Sequence, residues 1–135
     1  LFVFGLHRLR SLKVREDDFS FTASDEDSAK PDKVFKSLLS EGPSWGVHVI
    51  AWCDTLTMLE RMMERATIRE FGSRVLFQMS VTDSTSLIDT PAASGLGPNR
   101  AIFFAEDEGR VEKFRPYGMP SSEFLENAAR QLGSG

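Results

Sequence analysis

Short apolar runs recur along the chain, each separated from the next by a stretch of helical spacing, and this alternation most limits what it can fold into. Leu1-Phe2-Val3-Phe4 is wholly apolar and ends at Gly5, which predicts a buried strand. Val47 to Cys53 is a second run that breaks at Asp54-Thr55, and Ser73 to Met79 and Ala101 to Ala105 are two more. Between the first two, Pro31 opens a segment with Val34, Phe35, Leu38 and Leu39 on one helical face. Gly42-Pro43 ends it, because Gly can take a left-handed cap and Pro cannot continue a helix. Leu56, Leu59, Met62 and Met63 again follow helical spacing. Thr82 or Asp83 is suited to cap a short helix through Leu87 and Ile88, and Ser121 or Ser122 a last amphipathic one through Phe124, Leu125, Ala128 and Leu132. Glu106-Asp107-Glu108-Gly109 reads as a hairpin turn into Val111 to Phe114. The pattern predicts an α/β fold, a mostly parallel sheet covered on both faces with a late antiparallel hairpin.

Composition narrows the function classes. The 135 residues suit one domain, and no apolar run approaches the roughly 20 residues that span a bilayer as a helix. The single cysteine, Cys53, excludes an internal disulfide and a multi-cysteine zinc site. A net charge of −4 argues against a stand-alone nucleic-acid binder, but the charge is uneven. Arg8, Arg10, Lys13 and Arg15 form a basic run, followed by Glu16, Asp17, Asp18, Asp25, Glu26 and Asp27. The segment 14–30 therefore reads as a charged surface loop, with a partner-binding insert as the competing reading. Arg61, Arg65 and Arg69 stand at i, i+4, i+8 and would make a basic helix stripe, a candidate DNA contact; Glu60 and Glu64 in the next row fit a solvated face equally well. The chain opens without Met on an apolar run, which reads as a domain entered at a core strand, and it ends in a helix and tail over 121–135.

The chemistry-bearing motifs are few. No glycine is followed by lysine, so the phosphate loop G-x-x-x-x-G-K-[ST] is missing, and Gly95-Leu96-Gly97 lacks the third glycine of a dinucleotide loop. His7 and His48 are the only histidines; His48 interrupts an apolar run and is expected as a hydrogen-bonded core residue. Cys53 is expected as a small buried hydrophobe, and a Cys53–His48 nucleophile pair is disfavoured because five residues of strand put the two side chains on opposite faces. Metal ligands and a catalytic residue are therefore not assigned. The better candidates lie at the C-terminal ends of strands, where open α/β sheets bind ligands: Asp54 and Thr55 after the second run, and Gln78 before Ser80, Thr82 and Asp83 after the third. Loop capping by short polar side chains competes with that role. Arg74 opens the third run at the opposite end of the sheet, which suits contact with a neighbouring subunit.

In order and spacing, several segments resemble the FtsK/SpoIIIE family of DNA-translocating ATPases, in the C-terminal half of the motor domain. Gly46-Val47-His48-Val49-Ile50-Ala51 is similar to the family's Gly-Ile-His-Leu-Ile-Leu-Ala strand, which runs into a Thr-Gln-Arg-Pro sensor. Ser73-Arg74-Val75-Leu76-Phe77-Gln78-Met79-Ser80 resembles its Thr-Arg-Ile-Ala-Phe-Gln-Val-Ser strand. Asp83-Ser84, Leu87-Ile88-Asp89 and Ala92-Ala93-Ser94-Gly95-Leu96-Gly97 resemble its Asp-Ser-Arg and Gly-Ala-Glu run. The match covers 46–104, with a looser extension from Lys113 to Glu123. It implies the C-terminal portion of a RecA-like P-loop ATPase domain, whose parent is a cytoplasmic or membrane-anchored hexameric ring that uses ATP and Mg²⁺ to move DNA.

Carried onto this chain, the resemblance makes Asp54, Thr55, Gln78, Asp83 and Asp89 nucleotide sensor or edge candidates, and Arg74 and Arg100 inter-subunit candidates. It also exposes departures. Leu6-His7-Arg8-Leu9 stands where the family has the Val-Asp-Glu-Leu of Walker B, Trp52-Cys53-Asp54-Thr55 replaces Thr-Gln-Arg-Pro, and Thr85 replaces the Arg of Asp-Ser-Arg. Cationic side chains at the first site would repel Mg²⁺. The chain is then either the remainder of an active translocase, unable to bind or hydrolyse ATP alone, or a degenerate, non-catalytic interaction module of a multi-domain motor or secretion ATPase. A stand-alone α/β enzyme using Cys53 or Asp54 is a distant third reading.

Overall fold

The computed structural model describes residues 1–12 and 30–133, so the charged segment expected over 14–30 lies, apart from Lys30, outside the described residues. The chain divides into two compact units, Leu1–Arg74 and Val75–Gly135.

In the first unit, β1 (Phe2–Phe4) and β2 (Ile50–Trp52) pair in parallel, with Phe2 opposite Ile50 and Phe4 opposite Trp52. Period-two alternation turns Val3 and Ala51 inward while Phe2, Phe4, Ile50 and Trp52 stay exposed. The expectation of a strand buried on both faces is thus corrected: Phe2 is 79% and Phe4 86% exposed. Helix α1 (Pro31–Glu41) starts on the predicted proline and buries Phe35 and Leu39. It does not end in a left-handed Gly42. That residue stays right-handed and leads into a 3-10 turn over Gly42–Trp45, and the left-handed position falls at Gly46. Gly42 is needed for close approach instead, since a Cβ there would lie 2.9 Å from the Val47 carbonyl oxygen.

Helix α2 (Leu56–Met62) and α3 (Arg65–Arg69) are separate, because Met63 and Glu64 between them are extended. The one continuous helix expected for Arg61, Arg65 and Arg69 is therefore broken between its first and second arginines. Helix α2 packs on a 3-10 turn over Leu6–Arg8, and α1 on another over Arg10–Leu12. Among the described residues of this unit the buried apolar side chains are Leu6, Phe35, Leu39, Met62, Met63 and Ile68.

Strand β3 (Ser73–Leu76) carries the chain from the first unit into the second and joins a three-stranded sheet in the order β3-β4-β5. Strands β4 (Ala101–Ala105) and β5 (Arg110–Phe114) pair antiparallel across the predicted turn, Ala101 opposite Phe114 and Ala105 opposite Arg110. The fold is thus mixed α/β, with a two-stranded parallel sheet and a separate three-stranded one, instead of one mostly parallel sheet.

Helix α4 (Val81–Ile88) is capped by Ser80, whose Oγ accepts the Asp83 N–H at 3.0 Å, and not by Thr82 or Asp83. The core of the second unit is Leu76, Ile88, Ala93, Leu96 and Ile102, with Met79, Leu87 and Phe104 against it. Helix α5 (Ser122–Leu132) is capped by Ser121 as expected, yet buries none of its residues. Among the described residues no helix is long and apolar enough to cross a membrane.

Candidate functional site

The exits of β1 and β2 lie side by side because the strands are parallel and in register. At the first exit, Gly5 takes a left-handed conformation (φ 71°) that a side chain would strain, and the Arg8 side chain packs over the space a Cβ would fill. The chain curls at once into the Leu6–Arg8 turn, closed by the Arg8 N–H to Gly5 O bond of 2.8 Å. Leu6 is fully buried and anchors this turn, leaving His7 over the end of β2.

There His7 meets the second exit at two points. Its Nδ1 lies 3.8 Å from Cys53 Sγ, across 46 residues of sequence, and its Nε2 lies 3.5 Å from Asp54 Oδ2. The imidazole is mostly covered, its side chain 15% exposed against 42% for Asp54. Trp52 presents an edge to the imidazole at 6.3 Å and stacks on Phe4 at 5.0 Å. Cys53 is half-buried, and its thiol also approaches the Thr55 carbonyl oxygen at 3.6 Å. Thr55 caps α2 through its Oγ1, which accepts the Met58 N–H at 3.2 Å.

This arrangement corrects two expectations. His48 is exposed and lies outside β2, where only its backbone pairs, its carbonyl oxygen accepting the Leu1 amine at 2.7 Å. Cys53 is not a fully buried hydrophobe: it is half-buried, with His7 beside its thiol and Asp54 beside the other side of that ring. Sequence reasoning passes over His7 as a partner because nothing local links it to Cys53. The signal that points to it is the pairing of the two apolar runs themselves, the first followed by Gly5-Leu6-His7 and the second by Asp54.

The remaining candidates stand as follows. Arg61 and Arg65 sit on different helices, Arg65 paired with Glu60 at 3.3 Å. Arg69 ends α3, and its carbonyl oxygen accepts from Arg74 at 3.5 Å. In the second unit Gln78 is exposed beyond β3, and Arg100 is exposed just before β4. Asp83 and Asp89 stand at opposite ends of α4, and Asp89 terminates the helix in a left-handed conformation (φ 56°). Ser84, fully buried beside Asp83, organises the loop that follows: its Oγ donates to Thr90 O at 2.6 Å and accepts the Ala93 N–H at 3.1 Å. Separately, a cavity of about 150 Å³ in the first unit is floored by Leu12, Phe35, Met62 and Met63, with Asp32, Lys36 and Glu64 also lining it.

The donor set fits ATP and Mg²⁺ poorly. The β1 exit offers an imidazole and a guanidinium where a magnesium site needs carboxylates, and among the described residues the carboxylate beside it, Asp54, faces that imidazole. Among the described residues no three His, Cys, Asp or Glu side chains are grouped so as to hold a metal ion; Cys53 and Asp54 approach opposite nitrogens of His7 and so do not converge on one point. No family model, curated protein or solved structure matches the chain.

Proposed function

We propose that the chain is the C-terminal portion of an FtsK/SpoIIIE-like, RecA-like domain in a non-hydrolysing form, acting as an interaction or regulatory module of a larger ATP-driven motor. The observation that carries this reading is the His7–Asp54 pair between adjacent parallel strand exits. In the sequence resemblance, those exits correspond to the acidic pair and the sensor of an active motor. Here a base and an acid face each other, so the polar groups that would handle magnesium and water are occupied with one another. The parent's use of ATP, its assembly as a ring through Arg74 and Arg100, and its transport of DNA belong to the same proposal and rest on the resemblance alone.

The competing reading makes the chain the remainder of an active translocase, with Asp54 and Thr55 as working sensors. The two part on one experiment in the parent protein. His7→Ala and Asp54→Ala leave ATP turnover within about twofold if the domain is a module. An active site missing a sensor group loses on the order of a hundredfold or more. Turnover by the 135-residue chain itself, sensitive to Asp54 or Arg74, would sink both readings. DNA contact by Arg61, Arg65 and Arg69 requires an affinity for duplex DNA that falls steeply with salt and disappears when the three are reversed to Glu.

A further inference from the structure

We propose that Cys53, with His7 and Asp54, is a thiol–disulfide exchange site that takes low-molecular-weight disulfides. Three groups from two chain exits carry it. The sulfur stands 3.8 Å from His7 Nδ1, within reach of a thiol hydrogen bond. Asp54 Oδ2 faces the other ring nitrogen at 3.5 Å, and a carboxylate on that side favours the tautomer whose proton is on Nε2 and whose Nδ1 is open toward the thiol. This is the geometric order of a cysteine nucleophile, its base and an orienting group, recognised by roles and not by sequence position. Cys53 is half-buried, and Trp52, itself stacked on Phe4, lies against the His7 ring. Exchange needs a thiolate with access to solvent and a seat for the departing half of the disulfide.

The step balances without any further reactant. Nδ1 of His7 takes the Cys53 proton, the sulfur attacks one sulfur of the disulfide, and the S–S bond breaks. One half stays on Cys53 as a mixed disulfide and the other leaves as a thiolate, so Cys53 is oxidised and the departing half reduced. An added thiol reverses it. Among the described residues, the other charged side chains on the neighbouring elements are Arg8 on the 3-10 turn and Glu60 and Arg61 on α2, of which Glu60 is engaged by Arg65. Strands β1 and β2 carry no charged side chain.

Cys53 is the only cysteine, so thiolate released from dithiobis(nitrobenzoate), an aromatic disulfide, reports this sulfur alone. At pH 6.5 the folded chain should react at least about tenfold faster than the same chain unfolded in urea. His7→Gln should bring the folded rate down to the unfolded one. Asp54→Asn, which removes the carboxylate that positions the imidazole, should give an intermediate rate and a steeper dependence on pH, with unfolding by urea unchanged. A folded rate at or below the unfolded rate overturns the proposal, and so does a fast rate indifferent to His7→Gln. If His7→Gln does not fold, the pH profile of the unaltered chain decides. An imidazole-assisted thiol keeps most of its rate down to about pH 6.5, whereas an ordinary thiol loses tenfold per unit below about 8.5.

Discussion

The two units bury their apolar side chains differently. In the second, Leu76, Ile88, Ala93, Leu96 and Ile102 are between 0 and 3% exposed around one buried hydroxyl. In the first, among the described residues only Leu6 is so deeply covered; Phe35, Leu39, Met62, Met63 and Ile68 sit at 6 to 8%, and the β1–β2 sheet leaves its aromatic face open. A closed cluster makes every methyl group count, whereas a looser one leaning on methionines gives way around a deletion. The first unit, which holds the Cys53–His7–Asp54 group, is expected to be the more forgiving one.

That contrast breaks most readily on matched truncations. Ile88→Ala should cost about 4 kcal/mol and Leu39→Ala about 2, the ends of the range set by how well each site collapses. Equal losses by urea unfolding would erase the distinction. Both tryptophans, Trp45 and Trp52, lie in the first unit, so indole emission follows that unit, while amide exchange along β4 and β5 follows the other.

Next in size, Ser84→Ala strands the Thr90 carbonyl and the Ala93 N–H in a buried site. A loss of about 2 kcal/mol is expected, with amide exchange accelerated over Pro91–Gly95; a neutral result would mean that the hydroxyl only fills space. Helix caps sharpen the comparison at smaller scale. Thr55→Ala and Ser80→Ala each remove one first-turn acceptor and should cost about 1 kcal/mol, read as a loss in the unit that holds each helix. Smallest of all, Phe2→Ser on the open face should shift the urea midpoint by no measurable amount, because its ring is mostly in water already. A clear destabilisation would show that this face is covered in solution.

Much of the fold is legible in local sequence where the stabilising partners are local. The β4–β5 hairpin follows from an acidic turn ending in glycine (Gly109, φ 60°) after the apolar run Ala101–Ala105, and α1 follows from Pro31 and its apolar face. The α4 cap is misread because Val81 separates Ser80 from Thr82 and Asp83, all of them competent oxygens. The burial of β1 is misread because a parallel strand is expected to be covered on both faces, and nothing within four residues tells how many layers a sheet has. The site shows the same limit. Asp54 and Thr55 stand out as a strand exit, and Thr55 turns out to be a cap, but the partner of Cys53 arrives from a distant segment.

The distance between those segments also sets an order of events. Joining His7 to Cys53 closes a loop across 46 residues, whereas the hairpin closes over Glu106–Gly109, and the difference in closure entropy is roughly 2 kcal/mol. The hairpin is then expected to form early, on the order of microseconds, and the ladder from Phe2 to Phe4 later, an order that pulsed hydrogen exchange would test. Its three paired residues are also among the first to part when the native chain breathes. The thiol and the imidazole are held together by that one short ladder, so hydrogen exchange at Phe2–Phe4 is the measurement expected to report the opening of the site.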